Sequence, residues 1–406
     1  MEMQPGSLAS HFAVLKDPRT VNRCRHKFLD IVVMAVLGAL CGMEHWTEVE
    51  FFVKHEEEWL GSFLELPGSV PSHDTFGRVF ALMDPKAFTA VFLDWVNAVK
   101  AELPGDIIAL DGKSSRRTFD RAAEKSPLHM VSAFSHGSGL VLGQRAVDGK
   151  SNEITAIPEL LKLIPIKGKI ITIDATIGRR PIGPNGRSPL RGRSPEGLQA
   201  RAKGCQKKIA TLVVEGKGDY VLALKGNHER LHAELRDYFN LGRETNFKDI
   251  PFSYSETTDK GHGRIEIRRV WCTEALGWLE SRPDWTGLKT LVAIESTRII
   301  GEKTRVETRL FLSSLPSTNP FRMGEIVRGH WAIENRLHWV LDAVMNEDQS
   351  RIRKGNAPEV MAIMRHVVLN LLRMDTATKG SIRCKRMLAG WNQAYRLQAL
   401  FGFPKI

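Results

Sequence analysis

Three acidic residues stand where a metal-dependent reaction on phosphodiesters would need them. Asp111 and Asp174 each follow a short apolar run typical of a buried strand, in IIALD and IITID. Glu334 lies in HWAIENRLHW, on a predicted helix where it sits one position away from an apolar stripe. Three carboxylates can hold two divalent cations, which clamp the attacking and leaving oxygens of a phosphodiester. The alternative interpretation is that both aspartates merely cap turns or helices.

Two histidine patterns offer other chemistry. The string HERLH at 228–232 matches a metalloprotease motif in which two histidines bind zinc and Glu229 acts as the base. No downstream histidine completes the longer motif, so a chance match is the favoured interpretation and a zinc hydrolase the outside alternative. A second pattern spaces three residues at intervals of four: His330, Glu334 and His338. Metal binding is one interpretation of it, and support of Glu334 or an exposed polar helix face is the favoured one.

A basic, glycine-rich stretch, DKGHGRIEIRR, opens a β-rich part of the chain. Positive side chains in such a stretch can contact DNA phosphates. A solvated hairpin is the alternative interpretation. The candidate phosphate contacts are Lys260, His262, Arg264, Arg268 and Arg269.

The elements that must position these residues change in character along the chain. Residues 1–100 are predicted to be helical, with helix starts at Ser72 and at Asp84-Pro85. From residue 101 onward strands alternate with helices, which predicts an α/β (α+β) fold with helices on the faces of a sheet. The catalytic domain is predicted at 101–375. Within it, 250–316 form a β-rich insertion and 321–373 return to helix. A C-terminal tail follows at 376–406.

One tract interrupts this pattern. Residues 176–203 contain five glycines, four prolines, seven basic residues and one acid, which is the composition of a flexible loop. Their charges supply half of the chain's net charge of +12. The positive charge favours nucleic acid as a partner, but outside this tract the chain is only mildly basic. We therefore interpret 176–203 as a flexible insertion between the strand that ends at Asp174 and a helix predicted to begin at Gly204.

Compartment signals are weak but consistent with each other. The five cysteines are scattered without a CxxC pair, which argues against a disulfide framework or a cysteine zinc site and favours a reducing cytoplasm. The N-terminus shows no signal-peptide pattern. The most apolar run, Phe28–Cys41, contains Asp30 and is too short to span a bilayer, so no membrane partner is expected.

Several stretches taken together resemble the H-repeat-associated DDE transposases of bacterial insertion sequences. The stretches are LKDPRTVNRCRHKFLDIV, SHDTFGRVF, IALDGKS, KSNEITAIPELL, IITIDA, GCQKKIA, GDYVLALKGN, KGHGRIEIR and HWAIENRLHWVLDAVMNED. The resemblance covers nearly the whole chain except the insertion and the last thirty or so residues. It implies a helical N-terminal domain, an RNase-H-like mixed sheet with a β-rich insertion, and a C-terminal catalytic helix.

The resemblance also implies an activity. By motif, Asp111, Asp174 and Glu334 become the catalytic acids and the ligands of two Mg²⁺ or Mn²⁺ ions. The implied reaction is cleavage at the ends of the element and transfer of the freed strand into double-stranded target DNA, by a cytoplasmic, nucleoid-associated homodimer on paired ends. Related transposases often carry Tyr, Arg and Lys around the glutamate; those places hold Val327, His330 and Leu341 here. His330 is a candidate substitute as a phosphate contact.

The insertion sets three hypotheses against each other. The favoured one is a transposase fold whose chemistry is impaired, because in the family IDA is followed almost directly by GCQKKIA. The second is that the basic tract is a working DNA-binding arm. The third is a catalytically inactive remnant that still binds DNA.

Overall fold

A computed structural model describes residues 7–20, 24–100, 105–120, 125–147, 153–174, 196–225, 228–248, 250–261 and 263–402. It contains a helical N-terminal region followed by a nine-stranded mixed sheet with helices on both faces. This architecture is consistent with the predicted RNase-H-like α/β fold. Among the described helices, none combines the length and the apolar character that a bilayer span requires.

The N-terminal region packs short helices around one buried helix, α2. Twelve of its thirteen residues are buried, because nearly every position is apolar. The predicted start at Asp84-Pro85 is confirmed: the Asp84 side chain accepts a hydrogen bond from the Lys86 amide. The helices are α1 (Leu8–Phe12), α2 (Phe28–Leu40), α3 (Trp46–His55), α4 (Glu57–Gly61), α5 (His73–Leu82) and α6 (Pro85–Val99).

The sheet combines a short parallel centre with antiparallel flanks. Strand β4 pairs in parallel with β1 and β5, and the other neighbours in the order β3-β2-β1-β4-β5-β9-β8-β7-β6 are antiparallel. The strands are β1 (Ile107–Ser115), β2 (Leu128–Ser135), β3 (Val141–Ala146), β4 (Ile170–Ile173), β5 (Asp219–Leu224), β6 (Ser253–Gly261), β7 (Arg264–Thr273), β8 (Thr290–Ile300) and β9 (Lys303–Ser313). The β-rich segment thus extends the same sheet, since β9 pairs directly with β5.

The helix after Asp174 begins earlier than predicted. Three helices connect the strands: α7 (Glu153–Leu163), α8 (Glu196–Glu215) and α9 (Glu229–Glu244). The start of α8 at Glu196 instead of Gly204 makes 196–203 helical, where the sequence predicted loop. The six residues after Gly197 contain neither glycine nor proline and are good helix formers, which explains the earlier start of α8. The rest of the predicted insertion, 176–195, lies outside the described residues.

The C-terminal part supplies the helices that face the sheet. They are α10 (Pro320–His330), a π-helical turn (Ile333–His338), α11 (Trp339–Ala343), a 3-10 turn (Glu347–Gln349) and α12 (Ala357–Met374). The predicted C-terminal tail contains two helices, α13 (Ile382–Trp391) and α14 (Gln393–Phe401), which contact the N-terminal helices. Buried Arg396 lies 2.9 Å from a Glu56 oxygen and 4.4 Å from the centre of the Trp59 ring.

A buried ion cluster ties strand β1 to the segment that follows the π-helical turn. The Lys113 Nζ lies 2.7 Å from Asp342 Oδ1 and 2.8 Å from Glu347 Oε2, and the Lys113 and Glu347 side chains are 10% and 4% exposed. Burial opposes the charge on Lys113, but Glu347 and Asp342 outweigh it and raise the pKa of the lysine. This cluster fixes the C-terminal helices against the strand that carries Asp111.

Replacing Lys113 with methionine should destabilise the protein strongly. The variant leaves buried Glu347 without its closest positive partner, and breaking a buried ion pair in this way costs about 3–5 kcal/mol. Urea unfolding of Lys113→Met should show that loss, and Lys54→Met, which removes an exposed lysine paired with Glu50, should lose less than about 1 kcal/mol. Equal losses in the two variants would show that the cluster does not hold the helices.

The pH dependence of stability should reflect His366 on α12. Burial lowers the pKa of His366 to about 4, and its Nδ1 lies 3.2 Å from Gln144 Oε1. An unfolded histidine takes up a proton near its ordinary pKa of about 6.5, whereas folded His366 stays neutral. Stability is therefore fully present above about pH 6.5 and decreases as the pH falls toward 4. The free energy of unfolding of His366→Gln should fall less steeply across this window, and an unchanged slope would contradict this assignment.

Candidate active site

Asp111 and Asp174 lie side by side at one end of the parallel strand pair. The register of β1 and β4 pairs Leu110 with Ile173, and each aspartate is the next residue of its chain. Neighbouring strands are about 4.8 Å apart, so the two backbones carry their carboxylates into the same region. Both side chains are only slightly exposed, at 16% and 15%. The predicted apolar runs thus bring the two residues together, although β1 does not end at Asp111 but continues to Ser115, where it pairs with β2.

Glu334 joins Asp111 from the C-terminal helices. Most of 321–373 is helical as predicted, apart from turns and loop at 344–346 and 350–356. Glu334 occupies a π-helical turn, a feature often found at functional sites. His338 Nδ1 lies 3.4 Å from Glu334 Oε2 and 3.7 Å from Asp111 Oδ2. Asp111, Glu334 and His338 each place one potential ligand atom within 4.8 Å of the other two.

His338 is buried, so it does not belong to an exposed polar helix face. Its side chain is 7% exposed, whereas the Glu334 side chain is 49% exposed. Its hydrogen bond is the largest influence on Glu334 and lowers the pKa of that carboxyl group. Glu334 is therefore an anion at neutral pH, which is the form that binds a cation.

Asp174 is held by two positive side chains that the sequence did not identify. Lys225 Nζ lies 3.2 Å from its Oδ1, and an Arg309 nitrogen lies 2.8 Å from its Oδ2. Burial alone would raise the pKa of Asp174, but Arg309 and Lys225 outweigh burial and lower it. Asp174 lies outside the cluster of Asp111, Glu334 and His338 that could hold a metal. Its oxygens face cations of the protein.

His330 faces the protein interior beside Asp174. Its Nδ1 lies 2.9 Å from Thr172 Oγ1, and burial lowers its pKa to about 4, so the ring is neutral. It lines a small pocket together with Asp174 and Arg309. In this arrangement the ring is not presented to solvent as a phosphate contact would be, and the role suggested for His330 stays a prediction. Val327 and Leu341, at the two other divergent positions, are also buried.

The donor set can hold a divalent cation. Two carboxylates and an imidazole suit Mg²⁺ or Mn²⁺, with the nitrogen ligand favouring the transition metal. Of the three predicted catalytic acids, the structure gathers Asp111 and Glu334 into one cluster and places Asp174 directly after the neighbouring strand. The assignment of all three as catalytic residues stays a prediction. His338 is an additional candidate ligand. Its position four residues after Glu334 is the feature of the sequence that pointed to it.

The basic stretch on β6 and β7 is largely paired with acids. Arg264 contacts Glu266, Arg268 contacts Asp259 and Glu266, and Arg269 contacts Glu256 and Glu295. Lys260 is exposed, and His262 lies outside the described residues. The solvated-hairpin alternative accounts for these contacts, so DNA binding by this stretch stays a prediction.

The HERLH string does not form a metal site in the described part of the chain. His228 precedes α9 with a non-helical backbone, so it does not share a helix face with His232. Its ring is buried, 5.2 Å from the ring of Trp285. Among the described residues, the acid and histidine group that could hold a metal is the one at Asp111, Glu334 and His338.

Comparison with protein families identifies two matching segments. The family described as "DDE_Tnp_1-associated" matches residues 9–96. The family described as "Transposase DDE domain" matches 102–183 and 202–371, which is more than half of the chain. The unmatched residues between its two parts, 184–201, lie inside the predicted insertion at 176–203.

Several relatives align with most of this chain, including two that are named as putative transposases. The chain is 36% identical to "Putative transposase YncI" of Escherichia coli O157:H7, over 96% of this chain and 93% of the relative. It is 34% identical to "H repeat-associated putative transposase YhhI" of Escherichia coli K12, over 98% and 99%. It is 42% identical to "Uncharacterized protein in dhlA 3'region" of Xanthobacter autotrophicus, over 75% and 92%.

Manganese binding should depend on the cluster of Asp111, Glu334 and His338. We expect Asp111→Asn and Glu334→Gln to weaken Mn²⁺ binding in calorimetric titrations, because each removes a carboxylate ligand. His338→Gln should weaken it about 10- to 100-fold, whether the ring binds the ion or orients Glu334. The matched control His232→Gln changes a histidine outside the cluster and should leave the affinity unchanged. Unaltered affinity in His338→Gln would remove His338 from the site.

Proposed function

Because the chain belongs to the family of transposases with a DDE domain, we propose that it cuts DNA at the ends of its insertion sequence and joins those ends to target DNA. One observation carries the proposal beyond family membership: two carboxylates that the family motifs single out, Asp111 and Glu334, meet although they are far apart in sequence. Asp174 directly follows β4, the strand that pairs with the strand of Asp111. This arrangement is suited to phosphodiester chemistry in double-stranded DNA.

The proposed cofactor is a pair of Mg²⁺ or Mn²⁺ ions held by Asp111, Asp174 and Glu334. When bound, the ions would supply an activated nucleophile and stabilise the charge on the leaving oxygen. The chain's own residues prepare the ligands. His338 keeps Glu334 ionised, while Lys225 and Arg309 keep Asp174 ionised and hold its carboxylate in one orientation.

The same contacts give Lys225 and Arg309 a second proposed role. Both compete with any cation for the oxygens of Asp174, so an ion bound there must displace or share them. Lys225 is 43% exposed and is free to turn toward a DNA phosphate, whereas Arg309 is 17% exposed and stacks over Phe311 and Trp331. Lys225 is thus the side chain better placed to exchange a carboxylate for a phosphate when DNA binds.

Whether this copy is active depends, in our proposal, on the insertion that follows Asp174. The insertion predicted at 176–203 begins two residues after Asp174, and the family pattern leaves 184–201 within it unmatched. The favoured interpretation is that it impairs the chemistry. Two alternatives remain: a basic arm that helps to bind DNA, and a catalytically inactive remnant that only binds DNA. Action as a cytoplasmic, nucleoid-associated homodimer on paired ends belongs to the same proposal.

Replacing 176–203 with one small residue should increase strand cleavage. The assay is Mg²⁺- or Mn²⁺-dependent cutting of DNA that carries the element's own ends, by the full chain and by the deletion variant. We expect more cleavage by the variant, because the deletion brings GCQKKIA almost directly after IDA, as in the family. The control is the same deletion with Asp111→Asn, which should cut no more than the reaction without protein.

Other outcomes separate the alternatives. Unchanged or lower cleavage after the deletion would refute impairment, and a steeper salt dependence of DNA affinity in the full chain than in the variant would favour the arm. End binding that survives Asp111→Ala, with no cleavage by any variant, would favour the inactive remnant.

A further inference from the structure

The end of the β8–β9 hairpin is exposed on both faces of the sheet. On β9, every residue from Lys303 to Thr308 is exposed. Because side chains alternate along a strand, Lys303, Arg305 and Arg309 share one face of β9. Arg298 lies directly opposite Arg305 on β8, so its side chain is on the same face. We call Arg298, Lys303 and Arg305 the outer basic face.

The outer basic face carries charge that the fold leaves uncompensated. Like charges directly opposite on neighbouring strands are destabilising, yet Arg298 faces Arg305. In the described part of the chain, none of the three cations forms an ion pair. Glu266 is opposite Arg298 on β7, but its two oxygens contact Arg264 and Arg268. Glu307 also lies on this face of β9, and the net charge of the four groups is still positive.

The outer basic face leads toward the candidate active site. Arg309, four residues beyond Arg305 on the same face of β9, makes the ion pair with Asp174. From Lys303 to Arg309 a strand spans about 20 Å at its usual rise. One strand of double-stranded DNA places about six phosphates along that distance. The spacing and charge of this face therefore suit a DNA backbone that runs from the hairpin end to Asp174.

We propose that Arg298, Lys303 and Arg305 bind the phosphates of double-stranded DNA and direct it toward Asp174. This inference rests on the proposed function and names the surface that carries its substrate. It differs from the basic stretch on β6 and β7, where Arg264, Arg268 and Arg269 already contact acids. The cations of the outer basic face can bind phosphate without first breaking an internal ion pair.

The test compares two triple variants of the full chain with equal loss of charge. One is Arg298→Gln, Lys303→Gln and Arg305→Gln. The matched control is Lys248→Gln, Arg282→Gln and Lys289→Gln, three exposed cations away from the β8–β9 hairpin end. Affinity for a 30-base-pair duplex of unrelated sequence, about three turns of DNA, is measured by fluorescence anisotropy across a series of salt concentrations.

The expected result is a difference in salt dependence. Each lost phosphate contact reduces the magnitude of the slope of log affinity against log salt by about 1. The slope of the first triple variant should therefore be smaller in magnitude than that of wild type by about 3, and the slope of the control should be unchanged. Equal slopes for wild type and the first variant would refute the surface but leave the transposase proposal standing. No salt-dependent binding by wild type would refute both. The slope of the single variant Arg305→Gln should be smaller in magnitude by about 1. This variant tests the surface even if the triple variant misfolds.

Discussion

The parallel pairing of β1 with β4 is the constraint on which the candidate site depends. Its register sets Leu110 against Ile173 and thereby brings Asp111 and Asp174, 63 residues apart in sequence, to neighbouring positions. Both strands are buried on both faces here, and a slip of one residue would exchange their side chains between the two packed faces of the sheet. The hydrophobic core therefore specifies the placement of the two carboxylates, although neither contributes to the core.

Glu334 needs a different kind of support, because it comes from a helical segment outside the sheet. Lys113, two residues after Asp111 on the same strand, binds Asp342 and Glu347 on the segment that follows Glu334. The strand that supplies one acid thus also holds the segment that supplies another. Buried charges are costly unless they are paired, so this cluster tolerates few alternative arrangements.

Two of the three acids, Asp174 and Glu334, are stabilised as anions by different partners. Asp174 faces the cations Lys225 and Arg309, and Glu334 faces the ring of His338. Cations of the protein compete with a metal for the oxygens, whereas an imidazole can join the carboxylates as a ligand. The cluster at Asp111 and Glu334 is therefore ready to accept an ion, and a site that includes Asp174 requires its cations to move or to share their partner.

Positive charge is distributed unevenly, and total charge does not locate the DNA surface. Half of the net charge lies in 176–203, and much of the charge on β6 and β7 is neutralised by neighbouring acids. The sequence by itself determined the buried strands, the helix start at Asp84, and the motifs that single out Asp111, Asp174 and Glu334, because these depend on local pattern. Only the tertiary structure decided that His338 joins Asp111 and Glu334, that Lys225 and Arg309 hold Asp174, and that two helices within 382–401 pack against the N-terminal region. Those contacts join residues that are distant in sequence, or residues whose side chains a π-helical turn redirects. The local hydrophobic periodicity of the sequence predicts neither kind of contact.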